Sequence, residues 1–317
     1  MQASETVVTV PAVWTKVARL MGNRFSISVV SDDEIFANNC ITQAFAEIQR
    51  IERLLTTFND NSQTNQINAH AGISAVKVDK EVFQLIQRSL KISRLTQGAF
   101  DISYGAVDKD LWNFNQEMQQ LPSPAEAKKL VYLVNYRNII ADEETGTIFL
   151  KEKGMRIGFG GIGKGYAADR AKVILQELGI SSGIVNAAGD LITWGAQPNG
   201  KPWTIGIANP DMTTHAFSSL NITNMAVATS GNYEKFTIIN GKKYSHTIDP
   251  KTGLPVSGIK SVTILSHSAE LADAIATPVM IMGIEAGLYL VNQLKGLACI
   301  IIDDNNKIFT SSNITLV

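Results

Sequence analysis

Cysteine is scarce: Cys40 and Cys299 are the only two in 317 residues, too few for a disulfide framework and outside any Cys-x-x-Cys or Cys/His pattern that holds zinc. Both read as buried thiols. Positive charge is not in excess, since 28 Lys plus Arg face 29 Asp plus Glu for a net charge of −1. That balance excludes the basic footprint needed to coat a phosphate backbone, so no nucleic-acid partner is expected. Long apolar runs are missing too. The longest, such as Leu297 to Ile302, fall far short of the ~20 residues of a membrane span, so no transmembrane segment is expected. Residues 1–12 have neither a basic start nor an apolar core, so no signal peptide is visible, and either the protein is cytoplasmic or a leader has been removed. Linkers rich in Pro or Ser, internal repeats and low-complexity tracts are all lacking.

What the chain does contain is material for a core: 45% of its residues are hydrophobic and 18% charged, the balance of a compact globule. Arg24 to Val30 alternates as a strand does. From Asn38 to Leu55, Ile41, Ala44, Phe45, Ile48, Ile51 and Leu54 recur at three and four, the period of an amphipathic helix. A second helix is predicted over Glu81 to Thr96, with the turn-rich Asn59 to Ser62 between the two. The polar stretch 113–130, carrying Pro122 and Pro124, predicts a surface excursion leading into a helix from Ala125 to Leu133. Strands are predicted near 147–151, 155–159, 183–193, 203–208, 236–239, 244–248, 261–265 and 298–302, and helices over Ala269 to Met282 and Ala286 to Leu294. Strands outnumber βαβ units. The expected fold class is therefore α+β, a mixed, largely antiparallel sheet with flanking helices, in one domain over 21–317 after an N-terminal extension of 1–20.

Three segments concentrate chemistry. Gly158-Phe-Gly160-Gly161-Ile-Gly163-Lys164-Gly165-Tyr166 packs five of the chain's 24 glycines into nine residues and opens onto a helix. Bare backbone and a helix N-terminus together suit an anion, most naturally a diphosphate. Gly158-x-Gly160-x-x-Gly163 fits the dinucleotide fingerprint, but no acidic residue follows at the right distance; Gly158-x4-Gly163-Lys164 fits a P-loop until Gly165 stands where Ser or Thr would bind magnesium. A turn that merely packs tightly is the bland alternative.

The second segment, Tyr244 to Gly253, runs a strand into an Asp-Pro-x-x-Gly turn. His246 is the one of the four histidines placed to line a cleft, as a proton carrier at neutral pH or as a hydrogen-bonded fixture of the turn. In the third, Asp273 and Thr277 lie four apart on one helix face among small alanines, where a carboxylate and a hydroxyl can offer hard oxygens to Mg²⁺.

Taken in order with Met21-Gly22, Gly98-Ala99-Phe100-Asp101, Val185 to Asp190 and Ala228 to Tyr233, these motifs resemble those of the ApbE-type FAD:protein FMN transferases over about residues 20–305. The resemblance implies an enzyme that takes FAD as substrate with Mg²⁺, moves FMN onto a Ser or Thr hydroxyl of a target flavoprotein and releases AMP. It implies Asp273, Thr277 and the Gly161 carbonyl as metal ligands. Met21, Asp101 with its neighbours Ala99 and Phe100, and the backbone near Thr247 then contact FAD, and Lys164 neutralises phosphate charge. His246 is the candidate for the proton of the incoming hydroxyl, with Asp273 as its rival. The acceptor would be a protein with a Ser/Thr flavinylation motif, a membrane redox subunit, and the location periplasmic or otherwise extracytoplasmic, with a lipid anchor before truncation.

This chain departs from the family pattern in places. Gly158-Phe159 replaces the frequent Asp-Leu, which removes a polar contact to the nucleotide; Gly163 replaces an alanine; and Phe58 stands where tyrosine is frequent, keeping ring stacking and losing a hydroxyl bond. A metal-dependent FAD pyrophosphatase releasing free FMN, and a non-catalytic FAD-binding protein, are the alternative readings.

Overall fold

The computed structural model describes residues 10–107, 120–209, 212–232, 236–239 and 241–314. Tyr233 and the expected excursion up to residue 119 lie outside them. The first half of the chain carries β1 (Ala12–Leu20), β2 (Asn23–Ser31), α1 (Glu34–Leu55), α2 (Gln63–Ala69), β3 (Val76–Lys77), α3 (Lys80–Leu95), α4 (Pro124–Leu130), β4 (Ile139–Asp142) and β5 (Thr147–Leu150). Next come α5 (Gly163–Glu177), β6 (Gly183–Ala187), β7 (Asp190–Trp194), β8 (Trp203–Asn209), β9 (Met212–Ile222) and β10 (Ala226–Gly231). The chain continues through β11 (Phe236–Ile239), β12 (Lys242–Ser245), β13 (Ile259–Ser266), α6 (Ala269–Met282), α7 (Ile284–Gln293), β14 (Ala298–Asp303) and β15 (Ile308–Thr310).

The main sheet has eight strands in the order β1-β2-β6-β7-β10-β13-β14-β15, and every ladder in it is antiparallel. One face of the sheet packs against α1, α5 and α6, burying Phe25, Ile27, Ile41, Ile48, Val185, Val262 and Ile275 completely. A smaller apolar cluster on β7, β10, β13 and β14 packs with Ile205 and Ile222 of the β8–β9 hairpin. The expected α+β class and the antiparallel bias are borne out, and both cysteines are buried free thiols.

Residues 12–20, read from sequence as part of an extension, instead form the edge strand β1. It pairs with β2 along its whole length, from Ala12 opposite Ser31 to Leu20 opposite Asn23. The predicted strand at 155–159 is extended but joins no ladder. Met155, Ile157 and Phe159 alternate inward as in a strand, yet the Ile157 amide donates to Asn68 Oδ1 at 2.7 Å and its carbonyl accepts from Asn68 Nδ2 at 3.1 Å. One side-chain amide thus takes the place of a neighbouring strand. The run 183–193 divides into β6 and β7 at Ala188-Gly189, whose φ values of +57° and +103° make the two-residue turn.

Two features of this frame set the site. Helix α1 is held by Asp33, whose carboxylate accepts from the Phe36 amide at 3.0 Å, and its far end at Leu55 reaches the cavity described below. Helices α5 and α6 meet at Gly165, where a β-carbon would stand 2.1 Å from the Ala269 carbonyl oxygen and 2.9 Å from Asp273 Cβ. That crossing explains why a residue larger than glycine is absent at the position where a P-loop has Ser or Thr.

Candidate active site

A cavity of about 1060 Å³ opens between the β1–β2 turn, the C-terminal end of α1, the 3₁₀ turn at Ile102–Ala106, the glycine-rich segment before α5, the loop after β12 and the middle of α6. Its size is that of a site for a large organic ligand. Met21, Phe58, Ala99, Phe100, Asp101, Gly158, Gly161, Lys164, His246, Thr247 and Thr277 all line it. The sequence singled out these residues from segments up to 256 positions apart, and the fold brings them to one wall or another of the same space.

At the floor, the Lys164 ammonium lies 2.5 Å from Asp190 Oδ2 and 3.2 and 3.3 Å from the two oxygens of Asp273. Burial alone would lower the lysine's proton affinity, but the charges of Asp273 and Asp190 outweigh it and hold the ammonium above the ordinary lysine range. Burial also pushes the Asp190 carboxyl up, to about 6, against the pull of Lys164. Asp190 belongs to the motif Val185 to Asp190 but drew no role from sequence. The tight turn at Ala188-Gly189 sets it at the first residue of β7, beside Lys164, and its Oδ1 accepts from the Thr229 amide at 3.3 Å.

Asp273 is buried behind the lysine rather than on the cavity wall, and its Oδ2 also accepts from the Gly165 amide at 3.0 Å. Thr277, one turn further along α6, faces the cavity with its hydroxyl 2.8 Å from that of Ser230. The first turn of α5 is not the open nest of amides that the glycine spacing suggested: the Gly163 amide donates to the Phe159 carbonyl and the Gly165 amide to Asp273. What meets a ligand there is the bare backbone of 158–161. A β-carbon on Gly160 would touch nothing within 4 Å, and one on Gly161 would make only an ordinary contact with Phe100.

The donor set fits a hard divalent cation. Asp273, Thr277 and the Gly161 backbone offer oxygen only, and two carboxylates around one ammonium leave an excess negative charge that would repel a diphosphate in the absence of a cation. Among the described residues no group of three His, Cys, Asp or Glu could hold a metal by itself.

Asp101 reaches the cavity, but its carboxylate serves the protein. Oδ1 accepts from the Ser103 amide at 2.8 Å and from the Ser103 hydroxyl at 2.6 Å, while Oδ2 accepts from the Tyr136 amide at 2.7 Å. Burial raises its proton affinity and these bonds oppose the rise. His246 is exposed, just past the end of β12, and Thr247 follows with its amide on Ser245 Oγ at 3.0 Å. Phe58 is 98% exposed at the cavity edge, so its ring is available to a planar ligand.

Fold and floor together define an α+β protein with a large cleft floored by a lysine ammonium, a threonine hydroxyl and bare glycine backbone. The chain belongs to the ApbE family, whose profile matches residues 21–301. It is 32% identical over 302 residues to a FAD:protein FMN transferase of Klebsiella pneumoniae (strain 342), an alignment covering 95% of this chain and 92% of that protein. A FAD:protein FMN transferase of Salmonella typhimurium is 28% identical over 307 residues, covering 95% and 87%. Among solved structures, the ApbE protein of Thermotoga maritima superposes with a TM-score of 0.84 at 29% identity, covering 95% of this chain and 97% of that one. The apo flavinyl transferase ApbE of Pseudomonas stutzeri gives 0.81 at 26% identity, covering 95% and 94%.

Proposed function

We propose that this protein is a FAD:protein FMN transferase, an enzyme that moves FMN from FAD to a Ser or Thr hydroxyl of an acceptor protein and releases AMP. The observation that carries the reading is the convergence of Lys164, Thr277 and the bare Gly158 to Gly161 backbone in a cavity whose walls hold Met21, Phe58 and Phe100, with Asp273 directly behind Lys164. Once a bound cation offsets the excess negative charge of the two carboxylates, Lys164, which they keep positive, offsets charge on the diphosphate oxygens. Asp273, Thr277 and the Gly161 carbonyl would hold Mg²⁺, which when bound supplies Lewis-acid polarisation of the phosphate oxygens and lowers their repulsion toward a nucleophile. The acceptor hydroxyl oxygen forms a bond to the FMN phosphorus, the bond from that phosphorus to the bridging oxygen breaks, and AMP leaves with the bridging oxygen.

His246 takes the hydroxyl proton in this reading. It stands exposed on the cavity wall, whereas its rival Asp273 is buried and engaged by Lys164 and the Gly165 amide. Phe58 stacks on a flat ring of the substrate. Phe58→Ala is expected to raise the Kd for FAD roughly tenfold. Because the ring is exposed, unfolding stability should stay within about 0.5 kcal/mol of the parent, and titration of FAD by calorimetry beside thermal denaturation checks both parts.

The deciding experiment incubates the protein with FAD, Mg²⁺ and an acceptor bearing a Ser/Thr flavinylation sequence, followed by mass spectrometry of the acceptor. A flavin phosphate adduct on the hydroxyl, formed together with AMP, is expected. FMN released free with no adduct would instead assign a pyrophosphatase, and FAD left intact would assign a carrier. Among the described residues no helix is long and apolar enough to cross a membrane. An extracytoplasmic location and a membrane redox subunit as acceptor go with the transferase reading, and fractionation of cells producing the full chain tests the first.

A further inference from the structure

Helices α5 and α6 overlap at their N-terminal ends, and each lends an aspartate to the first turn of the other. Asp273 of α6 accepts from the Gly165 amide of α5 at 3.0 Å. In return, Asp169 of α5 accepts from the Ala269 amide at 2.9 Å through Oδ1, and through Oδ2 from the Glu270 amide at 3.0 Å and the Ser268 hydroxyl at 2.7 Å. The exchange is symmetric, since Gly165 and Asp169 are four residues apart on one helix and Ala269 and Asp273 four apart on the other. The closest approach of the two backbones, at Gly165 and Ala269, lies within it. Arg88 of α3 grips Glu270 from another side, with bonds of 2.6 and 2.9 Å.

Two helix N-termini, each equivalent to about half a positive charge, repel one another when they lie side by side. One carboxylate at each end offsets that repulsion and completes amides that the helices leave unpaired. The two aspartates are not equivalent, however. Asp273 is committed to the chemistry of the cavity floor, where it shares Lys164 with Asp190. Asp169 bonds only to the start of α6 in this exchange, so it can hold the crossing whatever charge Asp273 is given to neutralise. We propose that Asp169 is a positioning residue: it locks α6 against α5 so that Asp273 and Thr277 stand in fixed relation to Lys164. The catalytic consequence rests on the transferase reading above; the positional one does not.

The test compares Asp169→Ala and Asp169→Asn with Asp33→Ala, which deletes a helix cap of the same kind at the end of α1 remote from the cavity. Lys164 acetylation by acetic anhydride, measured by peptide mass spectrometry against the exposed Lys151, reads the cavity floor without any turnover. In Asp169→Ala, Lys164 should react about fivefold faster or more, and kcat for flavin transfer should fall about tenfold or more while KM for FAD stays within about twofold. Asp169→Asn keeps one acceptor oxygen and should recover part of both changes. Asp33→Ala should lower the melting temperature and move neither readout.

The proposal is overturned if Lys164 reactivity and kcat are unchanged in Asp169→Ala, or if Asp33→Ala reproduces the changes. It is equally overturned if both Asp169 variants fail to accumulate as folded protein while Asp33→Ala does, because the residue would then act in folding. Should the parent protein transfer no flavin, the functional reading fails alone, and Lys164 labelling still decides the clamp.

Discussion

Gly165→Ala is expected to destabilise the protein by about 3 kcal/mol or more and to cut transfer by a factor on the order of 100. Helix propensity by itself has the opposite sign: alanine within an exposed helix is worth about 1 kcal/mol over glycine. At this position the added β-carbon would lie 2.1 Å from the Ala269 carbonyl oxygen and 2.6 Å from its carbon, both backbone atoms that no rotamer change can move. Helix α6 must shift bodily, and with it the Asp273 carboxylate and the Thr277 hydroxyl. Urea denaturation and the initial rate of AMP release, measured on the same preparation, test both halves. A stabilised or unaffected variant would show that the two helices do not approach as closely as described.

Asp273→Asn is expected to separate the chemistry from the scaffold. The amide keeps an oxygen for the Gly165 N–H, now 3.0 Å from the carboxylate, so thermal stability should change little. The charge opposite Lys164 is gone, and so is the anionic ligand for a cation, so AMP release should drop by about 100- to 1000-fold. Asp273→Ala should lose as much activity and in addition about 1–3 kcal/mol of stability, because the Gly165 amide is left buried without its acceptor. Melting temperatures and rates for both variants, across a series of Mg²⁺ concentrations, provide the check. An alanine variant with full turnover and unaltered metal dependence would remove Asp273 from the site.

The elements most legible in the sequence are those whose burial is one-sided. Helix α1 places Ala37, Cys40, Ile41, Ala44, Ile48, Ile51 and Leu55 on the core, the periodicity visible in the residues themselves. Strand β1 was hidden because it is an edge: only one residue of its nine is buried, and it alternates between half-buried and exposed, so the hydrophobic signal of a core strand is faint. Segment 155–159 shows the converse. It alternates correctly and still forms no strand, because Asn68, 89 residues earlier than Ile157, satisfies its backbone.

The chemistry divides in the same way. Which residue types are available was written in the motifs: a lysine in a glycine-rich turn, an aspartate and a threonine one helical turn apart, a histidine before a tight turn. Each of those is a local pattern, and short-range geometry is enough to pair Asp273 with Thr277 on one face. The partnership of Lys164 with Asp190, the use of the Gly165 amide by Asp273 and the reciprocal hold of Asp169 on α6 depend on contacts across 26, 108 and 100 positions. No local periodicity encodes such contacts, because they exist only where the antiparallel sheet and the packing of α5 on α6 bring distant turns within hydrogen-bond reach.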